Sequence, residues 1–177
     1  NSLHFYQYCS RGSNCEKSDI GFHVWGNDNE VRWGQGGMLS NIDDTTFGHD
    51  GDEGGGSKLN LDIHGDDNRV AGVQRNGSSN DYSSHTATIY IYADNNDVWV
   101  NQNTDGAKTF SITANNDDND VTVKQTGNAT HTGTVTLNGT SPTTLNLLQQ
   151  GTTAQTYSLT QNCITMGGCS VSVTQGQ

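Results

Sequence analysis

VTVKQTGNATHTGTVTLNG, residues 121–139, holds two alternating runs separated by a glycine turn. In the first, Val121, Val123 and Gln125 fall on one face of a strand, because successive strand side chains point to opposite faces. In the second, Val135 and Leu137 alternate with Thr134 and Thr136 in the same way. A single copy would describe a hairpin. The same arrangement recurs along the whole chain, and internal repetition at a fixed period is the signature of solenoid architectures.

Aligning each copy on the glutamine that closes its first run gives seven registers: LHFYQ, VRWGQ, VAGVQ, VWVNQ, VTVKQ, LNLLQ and VSVTQ. These end at Gln7, Gln35, Gln74, Gln102, Gln125, Gln149 and Gln175, at intervals of 28, 39, 28, 23, 24 and 26 residues. Between consecutive copies lies a second alternating run, at 20–24, 59–63, 88–93, 110–114, 134–139 and, more weakly, 158–161. Most are followed by turns such as GNDNE, GDDNR, ADNND and NDDND, residue types that tolerate left-handed conformations.

The pattern predicts an all-β chain, a β-solenoid of about six to seven two-stranded rungs (strand, arc, strand, turn) stacked parallel and in register, about 4.8 Å apart. It forms one domain over 1–177, with a Gly/Asp-rich loop inserted at 38–57 that accounts for the longest interval. Seven inward glutamines in register would satisfy one another as an amide ladder, where an unpaired buried amide would cost about 1–3 kcal/mol. Trp33 and Gly72 take equivalent inward positions in successive copies, the large–small complement of a packed column.

Composition agrees. Only 30% of the 177 residues are hydrophobic, against about 45–50% for an ordinary globular chain. Polarity of that order would suggest disorder, but just 15% of residues are charged and the apolar ones strictly alternate. Solenoid layers need few inward side chains, since neighbouring layers complete the burial. A net charge of −11 disfavours nucleic acid and anionic membrane surfaces as partners, and no apolar run is long enough for a membrane span.

Four cysteines form two six-spaced pairs, Cys9 with Cys15 in the first layer and Cys163 with Cys169 in the last. The spacing fits neither zinc nor CxxC redox chemistry. Two disulfides at the ends of a solenoid would staple the layers that fray first, in an oxidising, extracellular or surface-exposed setting.

The opening NSLHFYQY and the recurring VxVxQxG resemble curlin repeats, the units of bacterial curli fibres. Gly37, Gly127 and Gly151 stand two residues after their glutamines, where that family has glycine; Cys9, Asn76 and Thr104 replace it in other copies. The resemblance implies a β-solenoid functional amyloid that stacks on other copies of itself, end to end, in extracellular fibres of the biofilm type. Seven first strands against six second strands would leave one second-strand position to be filled at each joint.

The expected function is therefore that of a non-enzymatic structural subunit of a fibre or surface appendage. The alternative is a phage tail-fibre or adhesin-type binding segment that does not polymerise, carrying long polar loops for recognition. A minor alternative is ice binding, from outward hydroxyls at Thr88, Ser111, Thr113, Thr134, Thr136, Ser158 and Thr160, interrupted by Asn60, Asp62 and Tyr90. No carboxylate pair suggests acid–base catalysis, and the six histidines show no metal spacing. No cofactor is expected unless it is a structural calcium ion, with Asp50, Asp52 and Glu53 the first candidates.

Overall fold

A computed structural model describes residues 1–7, 20–35, 58–75 and 85–176, without the side chain of Gln7. Eleven strands are present among them: β1 Ser2–Gln7, β2 Glu30–Gln35, β3 Arg69–Arg75, β4 His85–Thr86, β5 Asp97–Asn103, β6 Lys108–Thr109, β7 Asp120–Gln125, β8 His131–Gly139, β9 Thr143–Gln149, β10 Gln155–Cys163 and β11 Cys169–Gln175. They form two parallel sheets, one ordered β1-β2-β3-β5-β7-β9-β11 and the other β10-β8-β6-β4. The chain is all-β, a parallel β-solenoid with seven strands stacked in its first sheet.

Every ladder of the first sheet keeps one register. Gln7, Gln35, Gln74, Gln102, Gln125, Gln149 and Gln175 lie opposite one another from layer to layer. The inward residues form columns, Val31, Val70, Val98, Val121 and Leu145 in one and Trp33, Gly72, Val100, Val123 and Leu147 in the next. All of these apolar side chains are buried. Gly72 has to be small, because a Cβ there would lie 2.2 Å from Cζ3 of Trp33. The second face repeats the device, since a Cβ on Gly133 would lie 2.3 Å from the Phe110 ring.

The second face departs from the expected regular strands. Of the six runs, only 134–139 and 158–161 lie within full strands, β8 and β10. The runs at 20–24, 59–63, 88–93 and 110–114 keep the inward alternation, with Leu59, Leu61, Ile63, Ile89, Ile91, Phe110 and Ile112 buried, but form no continuous ladder. Isolated amide bonds such as Ile112 N–H to the Thr88 carbonyl, 3.2 Å, still join the layers. In the first three of these runs the physical reason lies in the backbone: Val24, Ile63, Tyr90, Ile91 and Tyr92 have φ of 44°, 21°, 42°, 128° and 53°. Left-handed geometry is costly for such side chains and breaks the extended pairing.

A disulfide joins Cys163 to Cys169 across the connection from β10 to β11. Cys9 and Cys15, the 38–57 insertion and Asp50, Asp52 and Glu53 lie outside the described residues. Among the described residues no helix is long and apolar enough to cross a membrane.

Candidate functional site

Three polar columns fix where every outward side chain stands. In the first, Gln35 donates to Gln74 at 3.2 Å, Gln74 to Gln102 at 2.8 Å, Gln102 to Gln125 at 2.9 Å, and Gln125 to Gln149 and Gln149 to Gln175 at 2.8 Å each. The second amide hydrogens of Gln102, Gln125 and Gln149 reach the carbonyls of Thr86, Thr109 and Thr132 on the opposite face. The amides therefore tie layer to layer and also face to face.

A second column stands at the turns before β2, β3, β5 and β7. The Asn29 side-chain oxygen accepts from both the backbone and the side-chain amide of Asn68, as Asn68 does from Asn96 and Asn96 from Asn119. Asn119 then accepts from the Thr143 backbone N–H at 2.9 Å. Sequence reasoning treats these asparagines only as turn formers. Their signal is spacing, since each stands six residues before its glutamine. Outside them, the backbone N–H groups of Asn27, Asp66 and Asp94 donate to the carboxylates of Asp66, Asp94 and Asp117 in the next layer, at 2.6, 2.8 and 2.9 Å.

The third column lines the arc. His85, Lys108, His131 and Gln155 follow one another in register, and the first three are buried. Each serves arc carbonyls: His85 meets Arg75, Lys108 donates to Asp105, Gly106 and Ala129, His131 meets Thr126, and Gln155 donates to Gln150. Burial holds the His131 imidazole below its ordinary pKa; the Thr126 carbonyl opposes this and the Lys108 charge adds to it.

With the register fixed, the outward side chains of the early layers converge. His23, Asp62 and Tyr90 each stand twelve residues before their glutamine, and Trp25, His64 and Tyr92 ten before. The six histidines show no common spacing in the raw sequence, yet two of them meet here around Asp62. Its Oδ1 lies 3.3 Å from Nδ1 of His23 and 2.7 Å from Nε2 of His64. Asp62 Oδ2 accepts from the Tyr92 hydroxyl at 2.6 Å. Trp25 stacks on the His64 ring at 4.0 Å between centroids, and Tyr92 meets the same ring edge-on at 4.5 Å. Burial alone would raise the Asp62 pKa, but the Tyr92 hydrogen bond and the two histidines together hold it below its ordinary value. The same bond to Asp62 raises the Tyr92 phenol.

Around this cluster large aromatic groups face solvent: Trp25 is 64% exposed, Tyr92 49% and Tyr90 37%. The patch offers aromatic faces beside a carboxylate and two imidazoles, a set suited to stacking and to ion binding. No family model matches the chain, and neither the curated proteins nor the solved structures contain a match.

Proposed function

We propose that this chain is a structural, non-enzymatic element of an extracellular fibre or surface appendage, a curlin-like solenoid that stacks on further copies of itself. The observation that carries this is the state of the outermost layers. Among the described residues, β1 and β11 each pair on one side only. The inward residues of the last layer, Tyr157, Leu159, Val171 and Val173, are only partly buried, and Leu3 at the other end is 40% exposed. A copy docked with β1 on β11 would extend both the sheet and its apolar columns, and unpaired parallel edges invite such addition. The Cys163–Cys169 disulfide fits an oxidising compartment.

Electron microscopy of the oxidised protein, held concentrated for days, tests the proposal. Unbranched filaments of uniform width support it; discrete rods about 30 Å long, from seven layers about 4.8 Å apart, count against it. In the latter case a binding segment of adhesin or phage-fibre type is the better reading, favoured by the exposed aromatic patch at Trp25, Tyr90 and Tyr92. An ice-binding surface has less support. The regular ladder under its hydroxyls is confined to Thr134 and Thr136 beside Ser158 and Thr160.

A further inference from the structure

We infer that His23, Asp62 and His64 form a binding site for a divalent transition-metal ion of the Zn²⁺ or Cu²⁺ class. The ligand atoms of the three side chains lie within 4.8 Å of one another, offering two imidazole nitrogens and one carboxylate oxygen. That donor set suits borderline ions and not calcium, which takes six or more oxygens. With metal–ligand bonds of about 2.0–2.2 Å, two ligands of one ion stand roughly 3 Å apart. The 3.3 Å from Asp62 Oδ1 to His23 Nδ1 matches that span, and the 2.7 Å to His64 Nε2 would widen slightly as an ion entered between them.

A second observation points to a missing partner. Asp62 Oδ1 and His64 Nε2 are both shielded from solvent, and beyond the ion-pair contacts inside the cluster neither has a hydrogen-bond partner. They stand 2.7 Å apart without the alignment a hydrogen bond needs. A cation bridging the two would satisfy both at once.

The surroundings resemble those of a prepared site. The Tyr92 hydroxyl occupies Oδ2 of Asp62, which leaves Oδ1 as the ligand atom. Trp25 and Tyr92 hold the His64 ring from its face and its edge. Such supporting contacts commonly decide metal affinity by about 10–100-fold. The remaining ligand, His23, is largely exposed and lies parallel to the Trp25 ring. Positions not taken by the three side chains face water, so the ion would be held at the surface and open to a further ligand.

Calorimetric titration of the oxidised, chelator-treated chain with Zn²⁺ tests the site, alongside Cu²⁺ titration followed by tryptophan fluorescence. The wild type should take up one ion per chain. His23→Gln, an exposed change that leaves the fold alone, and Asp62→Asn should each weaken uptake at least tenfold. Cu²⁺ should quench the emission of Trp25, stacked on a ligand, and Trp25→Phe should remove that quench while Zn²⁺ uptake persists. Absence of uptake, uptake equal in the wild type and His23→Gln, or Cu²⁺ binding without a Trp25-dependent quench would each overturn the inference. Equal uptake in the variant would place the ion on the acidic turns instead.

Discussion

Among the described residues the first sheet pairs seven strands without interruption, whereas the second has four, two of them only two residues long. Both faces alternate inward and outward residues, and both bury their apolar columns. They differ in what holds one layer to the next. On the first face, backbone ladders run between the Asn29–Asn119 column at one end and the glutamine column at the other. On the second face of the early layers, left-handed residues break the ladder and single amide bonds remain. The same early layers carry the exposed aromatics and the His23–Asp62–His64 cluster. A face relieved of holding register can accommodate irregular backbone and outward chemistry, because its partner sheet holds register for both.

Breaking the glutamine column should have the largest effect. Gln102→Ala removes a donor to Gln125 and the Thr86 carbonyl and an acceptor for Gln74. Three buried groups then lose partners, at about 3 kcal/mol or more in total. Urea denaturation should register the loss as a lower midpoint with unchanged slope. Gln175→Ala, at the partly exposed end of the column, should cost far less; equal costs would mean that the column does not act through burial.

A smaller effect is expected from overpacking the second face. Gly133→Ala forces a Cβ against Phe110 and should cost about 1–3 kcal/mol. Phe110→Leu in the same chain should recover most of it. Failure of that rescue in thermal melts would show that backbone and not packing governs the position.

The arc column gives a pH dependence. Burial lowers the folded-state pKa of His131, so the unfolded chain takes up its proton first as pH falls. The stability that neutral His131 confers is therefore complete above its unfolded pKa, about 6.5. It is lost as pH falls from there towards the lower folded value. Melting temperatures of the wild type should decline over that window. His131→Gln, which copies Gln155 of the next layer, should decline less. An identical decline would assign the effect to other groups.

Smallest of all should be Trp25→Ala. The side chain is mostly exposed, so unfolding should change by under about 0.5 kcal/mol. A larger loss would give the outward patch a structural role that the comparison of faces denies it.

The architecture was legible because alternation, the closing glutamine and Asn/Gly turns are all local signals that repeat. The asparagine column was less so: an asparagine is already explained by its turn, which hides its role as an acceptor for the next layer. The His23–Asp62–His64 cluster was hidden by the 39-residue interval that separates His23 from Asp62. Counting back from Gln35 and Gln74 removes the insertion and brings the two into line. Irregularity of the second face was not legible, because left-handed φ at valine, isoleucine and tyrosine runs against what those residues prefer. There the packing of the layers overrides local propensity.

Native-state hydrogen exchange, resolved by residue, tests most directly whether the first face holds the fold. The amides of β3, β5 and β7 should exchange only through global unfolding, with free energies that track denaturant stability. Amides at 88–93 and 110–114 should exchange earlier, through local opening that leaves the glutamine column intact. Protection of the second face equal to or above that of the first would contradict the account, since the two faces would then open as one.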